Sequence, residues 1–154
     1  MAYVAAPKQP GLEDPCFICK GLSEKVDREN LIALRTPKSA VVLNQFPYNN
    51  GHLLVAPRAH KGRLQDLDVD EMVDTQQTLA RMLEKLDRLM HPEGYNIGLN
   101  LGRTAGAGLP GHLHWHIVPR WNGDTNFMPV LGAVKVIAQA LDALYDGLIA
   151  ALKS

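Results

Sequence analysis

Apolar residues along this chain fall first into short blocks parted by turn residues, then into two longer stretches with helical spacing. Leu31–Leu34 and Ala40–Leu43 are two such blocks, separated by Thr36-Pro37-Lys38-Ser39. His52–Ala56 is a third, between the Asn49-Asn50-Gly51 turn and Pro57. Short β-branched and aliphatic runs bounded by Pro, Gly and Asn read as strands, and short turns between successive strands make them pair antiparallel. Asp68 with Glu71 has the form of a capping pair. Met72, Leu79, Met82, Leu83, Leu86, Leu89 and Met90 follow it at helical spacing, so the pattern predicts a long helix stopped by Pro92 and Gly94. Tyr95–Leu101 alternates as a fourth strand, Gly102–Gly111 is a glycine-rich connection, and His112–Pro119 is a fifth strand. Val134, Ile137, Leu141, Leu144, Tyr145, Leu148 and Leu152 mark a terminal amphipathic helix over about 130–153. Strands in a run with one helix inserted and one appended predict an α+β fold, a mostly antiparallel five-stranded sheet with one long inserted helix and a C-terminal helix.

Composition narrows the class without changing this picture. A length of 154 residues fits one domain, read here as 15–154 behind a loose arm at 1–14, and there is no internal repeat or linker. Sixteen basic and sixteen acidic residues cancel. That balance argues against a large nucleic-acid footprint, which needs a basic surface, but leaves room for a small phosphorylated ligand. No apolar run is long enough for a membrane span, and Met1–Gln9 lacks the apolar core of a secretory signal, so a soluble cytoplasmic protein is the expectation. Two cysteines make no disulfide framework.

The chemistry concentrates at Gly111-His112-Leu113-His114-Trp115-His116-Ile117-Val118-Pro119. In an extended chain His112, His114 and His116 share one face, neighbours ~6–7 Å apart, while Leu113, Trp115 and Ile117 face the core. Three readings stand. The histidines are polar groups on a wet sheet face; or they hold a catalytic metal; or the middle one is a nucleophile that its neighbours orient. Geometry weighs against the second, because the outer pair would lie ~13 Å apart on a regular strand while zinc–nitrogen bonds are ~2.1 Å. The preceding Gly102-Arg103-Thr104-Ala105-Gly106-Ala107-Gly108 has little bulk and can turn backbone N–H groups toward an anion, and Asn100 at its mouth carries an amide donor.

With these residues in view, the chain resembles the histidine triad family, whose signature His-x-His-x-His-x-x, with x apolar, is met at every position of His112–Val118. Leu43–His60 is similar to the family's upstream Asn, Pro-x-x-x-Gly-His and Pro-x-x-His elements, and the likeness runs from about Cys16 to Pro129. The resemblance implies a compact α+β unit that forms a homodimer by extending its sheet and binds a nucleotide against the histidine strand. It implies that His114 attacks the α-phosphorus, giving a nucleotidyl-histidine, and that His116 serves the bridging or leaving oxygen as general acid. Asn100 and the Gly106, Ala107 and Gly108 backbone would hold phosphate, and Asn44 would meet the ribose. Phe17, Ile18 and Leu43 would wall the base. Within the family, Ala105–Gly108 and Pro119–Pro129 look like the diadenosine tetraphosphate phosphorylase-like, dinucleoside polyphosphate-cleaving branch more than the phosphoramidate-hydrolysing one. Trp121 would then shape a second nucleotide or acceptor pocket, and Arg120 would contact distal phosphates. Trp115 stands where relatives often carry a smaller residue, and is read as a packing or subunit-contact residue.

Cys16-x-x-Cys19 has three readings of its own: redox use, chance, or zinc. A redox motif normally opens a helix after a strand, and the sequence signals neither. Two thiolates on zinc need two more ligands, and some family members supply them from the Pro-x-x-His element and the first triad histidine. Here those are His60 and His112, giving a structural zinc site of Cys16, Cys19, His60 and His112. Magnesium would enter only with a polyphosphate substrate. His52 is assigned to the strand turn and His91 to the surface at a helix C-terminus. The expected function is therefore a nucleotidyl hydrolase or phosphorylase acting on nucleoside polyphosphates, with water or phosphate as acceptor. The rivals are a nucleotide sensor or scaffold with little turnover, and a hydrolase with zinc held by the triad itself.

Overall fold

The structure, a computed structural model, describes residues 16–125 and 139–154. The 1–14 arm and the start of the terminal helix, with Val134 and Ile137, lie outside the described residues. The elements are α1 (Phe17–Ser23), β1 (Ile32–Arg35), β2 (Ser39–Leu43), β3 (Leu53–Pro57), α2 (Val69–Met90), β4 (Gly94–Leu99), β5 (Trp115–Arg120) and α3 (Leu141–Lys153). The strands form one antiparallel sheet in the order β1-β2-β3-β5-β4. The expected α+β fold with its five-stranded sheet is the one observed.

One sheet face carries the main core. Val41, Leu43, Leu53, Val55, Leu113, Trp115 and Ile117 pack there against Leu79, Met82 and Leu86 of α2 and Leu144, Tyr145 and Leu148 of α3. Strand alternation sends Ile32, Val42 and Leu54 to the other face, where Leu22 of α1 covers them. Trp115 belongs to the core, which settles its packing role. The α2 cap is a full capping box: the Asp68 carboxylate accepts from Glu71 N–H, and the Glu71 carboxylate accepts from Asp68 N–H. Glu71 also pairs with Lys61 at 2.6 Å, tying the chain just after His60 to the helix start.

Several sequence-based boundaries move, each for a local reason. Leu31 has a left-handed backbone (φ 55°), which no strand accommodates, so β1 starts at Ile32. The fourth strand ends at Leu99 rather than Leu101. The fifth starts only at Trp115. Before it, Leu113 N–H donates to Lys61 O at 2.6 Å, so the chain carrying His112 and His114 follows the 60–62 segment instead of a strand. The helix α1 was not anticipated. It is short, its apolar signal is confined to Phe17, Ile18 and Leu22, and its N-cap is the thiol of Cys16, which accepts from Cys19 N–H.

Candidate functional site

Two centres meet at His112. The first is a cluster of ligand atoms. Cys16 Sγ lies 3.2 Å from His112 Nδ1, and Cys19 Sγ lies 3.4 Å from the same nitrogen and 3.2 Å from His60 Nδ1. All four ligand atoms are within 4.8 Å of one another. A tetrahedral zinc with ~2.3 Å sulfur and ~2.1 Å nitrogen bonds wants sulfur–nitrogen separations of about 3.6 Å, so a few tenths of an ångström separate this cluster from a closed metal shell. The chemistry of the donors points the same way. Burial and the adjacent Cys16 push the Cys19 thiol up to about 11, so the two sulfurs become thiolates together only around a cation. His112 Nε2 lies 2.8 Å from Pro57 O, and since a carbonyl only accepts, that nitrogen carries the proton and Nδ1 turns its lone pair to the sulfurs.

The 60–62 and 110–112 segments meet because Gly62 has no side chain: a Cβ there would lie 2.9 Å from Pro110 O and 3.3 Å from Gly111 Cα. This backbone approach is how His60 reaches His112, a distance no sequence spacing encodes. The Cys-x-x-Cys pair does open a helix, contrary to the sequence reading. Among the described residues, this is the group that could hold a metal, and neither His114 nor His116 belongs to it, so zinc held by the triad has no support.

The second centre is His114 and His116. Both are buried, as is His112, so the triad does not line a wet sheet face. His114 Nδ1 lies 2.8 Å from the carbonyl of His112 and must be the protonated nitrogen. Burial holds the ring below the ordinary histidine range, hence neutral, so Nε2 carries the lone pair. The tautomer is thus set by the main chain of a residue whose own side chain sits in the thiol cluster.

His116 is fixed from the other side. Tyr48 N–H donates to His52 Nδ1 at 2.9 Å, and an amide only donates, so His52 is neutral with its proton on Nε2. His52 Nε2 is 2.9 Å from His116 Nδ1, which must accept, leaving His116 with its proton on Nε2. Burial, with His114 adjacent, lowers His116 to about 4. His116 Nε2 is itself buried and meets no hydrogen-bond partner among the described residues. An unpaired buried donor costs about 1–3 kcal/mol, and such a group is normally kept for a ligand. His114 and His116 ring centroids are 5.0 Å apart, closer than a regular strand would place them, because only His116 lies in β5. His52 is the residue whose part was underestimated. It serves the turn, as expected, and also holds His116; its only sequence signal was the Gly-His pair after a turn.

The remaining candidates are placed unevenly. Asn100 directly follows β4, whose last residue, Leu99, pairs with Trp115, the residue after His114. Asn44 Oδ1 accepts from Phe46 N–H and its amide nitrogen lies 3.2 Å from His52 Nδ1, so it stands beside the His52–His116 pair. Gly102 and Gly106 take positive φ, but Gly106 N–H donates to Arg103 O and Ala107 N–H to Gly102 O. Those two N–H groups close turns within the loop. Phe17 is 48% exposed, whereas Ile18 and Leu43 are each 1% exposed. Leu43 lies in the core under α2, on the face away from the triad.

Arg120 is held by neighbouring side chains. Its guanidinium is bidentate on Asp124 at 2.6 and 2.7 Å and also donates to Asn96 Oδ1, so three of its N–H groups already have partners within the protein. Asp124 also accepts from Asn49 Nδ2 at 2.7 Å, clamping the turn that carries Tyr48 and His52 to the end of β5. Trp121 donates to His91 O at the end of α2, roughly 17 Å along the strand from His116 in the same chain.

The Arg120 guanidinium pulls Asp124 from the ordinary carboxyl value of 3.8 down to about 2. A folded-state pKa below the unfolded one stabilises above the unfolded value and is lost as pH falls through the folded one. The stability gap between wild type and Asp124→Asn should therefore shrink as pH drops from about 4 to 2, read by thermal unfolding across that range. A gap that stays constant to pH 2 would remove Asp124 as a charged clamp.

A family model described as HIT domain matches residues 26–123. An AP-4-A phosphorylase of Mycobacterium tuberculosis is 39% identical over 137 residues, 89% of this chain and 66% of that one. The chain thus spans just under two thirds of that relative's length. A bis(5'-nucleosyl)-tetraphosphatase (asymmetrical) of Schizosaccharomyces pombe is 34% identical over 90 residues, 58% of this chain and 49% of that one. Among solved structures, a zinc-bound histidine triad family protein from Mycobacterium smegmatis superimposes with a TM-score of 0.71 at 24% identity, covering 90% of this chain and 94% of that one. That likeness speaks for the fold.

Proposed function

The chain belongs to the HIT domain family, and on that premise we propose that it cleaves dinucleoside polyphosphates at the α-phosphorus through a nucleotide adduct on His114, with inorganic phosphate as the preferred acceptor. One observation carries the reading: two buried neutral imidazoles lie side by side, His114 with its Nε2 lone pair available and His116 with an Nε2–H. In the first step His114 Nε2 forms a bond to phosphorus as the bond to the leaving polyphosphate oxygen breaks. His114 keeps its Nδ1 proton on the His112 carbonyl throughout. The leaving oxygen departs as an anion, since phosphate oxygens of this kind titrate near pH 6, and a hydrogen bond from neutral His116 stabilises it without full proton transfer.

In the second step the acceptor oxygen attacks phosphorus, the phosphorus–nitrogen bond breaks, and its electron pair returns to His114 Nε2. A phosphate dianion arrives with an anionic oxygen, whereas water needs a base. His116 Nε2 already holds a proton and Nδ1 is engaged by His52, so this pair supports phosphate better. The likeness to the mycobacterial phosphorylase supports the same acceptor. Asn100, directly after β4, would donate to a phosphoryl oxygen, Gly108 would lie against the phosphates, and Phe17 would stack on the base. Asn44 would reach the ribose only by leaving His52.

Cys16, Cys19, His60 and His112 would hold a structural zinc, which, when bound, pins α1 to the segment before β5 and immobilises the His112 carbonyl. A homodimer would form by sheet extension at β4, an edge strand with Ile97 exposed. Among the described residues no helix is long and apolar enough to cross a membrane.

The test is product identity. Incubation with a diadenosine polyphosphate should release nucleoside diphosphate from the cleaved α-end only when inorganic phosphate is present, with that phosphate as its new β-phosphoryl group. Nucleoside monophosphate formed at equal rate with or without phosphate would make the enzyme a hydrolase. Tight nucleotide binding with no product from any polyphosphate would make it a sensor.

A further inference from the structure

We infer that Tyr48 is a positioning residue, holding the His52–His116 pair so that His116 presents its Nε2–H to the leaving oxygen. The inference rests on the reading of His116 given above and extends it to a side chain that makes no claim on the substrate. Three observations converge on Tyr48. Its backbone N–H is the donor that sets the His52 tautomer. Its ring lies nearly parallel to His116, 14° between planes with centroids 5.5 Å apart. The same ring is 4.6 Å from His52. The residue is 50% exposed while His52 and His116 are 1% and 9%, so the phenol ring stands between the pair and solvent.

The physical consequence follows from what water would do in its place. The 2.9 Å bond between His52 Nε2 and His116 Nδ1 is a neutral one, and water reaching it can substitute for either partner. With that bond exchanged, nothing obliges His116 to keep its proton on Nε2. Hydration also favours the charged form of a buried imidazole. The groups facing His116 are His52 and Tyr48 from the β2–β3 turn and His114 from its own segment. None of them supplies a negative charge, so burial carries most of the depression and its removal should let His116 titrate closer to 6.5. The Asp124–Asn49 contact next to Tyr48 holds the turn from outside.

The experiment compares Tyr48→Ala with Tyr48→Phe, using kcat and KM on a diadenosine polyphosphate from pH 4 to 8 and ¹⁵N shifts of the histidine rings. Tyr48→Ala should lower kcat about tenfold, within the range of a disturbed donor, with KM changed less than about threefold. The pH at which the His116 ring titrates in the ¹⁵N shifts should rise, and His116 Nδ1 should lose its accepting signature at pH 7. Tyr48→Phe keeps the ring and the amide and should restore all three. An alanine variant with wild-type kcat, His116 titration and ring shifts overturns the inference. So does a phenylalanine variant as impaired as the alanine one, which would place the hydroxyl on the ligand. If wild type turns over no polyphosphate, the reaction assignment fails by itself, and the ring shifts of the two variants still decide the role of Tyr48.

Discussion

His114→Ala is expected to abolish turnover while leaving nucleotide binding nearly intact. Without Nε2 there is no atom to form the phosphorus–nitrogen bond, and the loss should be roughly 10⁴-fold or more in kcat, as expected when a covalent nucleophile is deleted. The ring is buried beside His116, so the substitution opens a small void, but the sheet registers on either side of it are carried by main-chain bonds that alanine retains. His116→Ala removes only a donor to the leaving oxygen, and its loss should be smaller, about 10²–10³-fold. Rapid-quench experiments with a polyphosphate labelled at the α-phosphorus would capture labelled protein from wild type and none from His114→Ala. If His114→Ala keeps wild-type kcat, the nucleophile is another group and the adduct scheme is dead.

Removal of the metal is expected to have the second largest effect, and on stability before activity. Metal analysis should find one zinc per chain, absent from Cys16→Ser. A site that binds the folded protein alone contributes about 4 kcal/mol when free zinc is ~1,000 times its dissociation constant, so Cys16→Ser should unfold far below wild type. The effect should reach the chemistry through a single atom. His112 offers Nδ1 to the thiols, Nε2–H to Pro57 O, and its carbonyl to His114 Nδ1–H. A His112 freed from the metal lets that carbonyl move, and His114 then samples the tautomer whose Nε2 is protonated and inert. In a sample kept below its unfolding temperature, chelation should lower the rate of adduct formation and shift the His114 ring nitrogens together. A stoichiometric zinc analysis of zero, or a Cys16→Ser variant as stable as wild type, would end the structural-metal reading.

The histidine row gained most from being seen folded. Residue spacing alone made it three equivalent rings on one strand face, and only the family resemblance gave them separate roles. In the structure they differ in every partner, because the chain enters β5 only at Trp115 and the two earlier histidines lie against the 60–62 segment. Arg120 shows the opposite limit. A basic residue after the triad reads as a phosphate ligand, and only the fold shows its carboxylate partner at Asp124, four residues on, holding it. Leu43 shows a similar limit: apolar character tells that a residue is buried, not which face of the sheet it is buried on.

What the sequence by itself determined is what local physics encodes. Alternation and turn residues define the strands, the Asp68–Glu71 box starts α2, and the spacing of apolar positions builds the core from Val41 to Leu148. Those signals repeat every two to four residues and need no distant partner to be read. What the tertiary structure alone decided are the meetings of groups far apart in the chain: Cys16 with His112, Tyr48 and His52 with His116, and Asn49 with Asp124. Each depends on a backbone approach or a sheet register set by the whole fold. An imidazole's proton is placed by the neighbour that accepts or donates to it, so even the chemistry of His114 and His116 becomes definite only when those neighbours arrive.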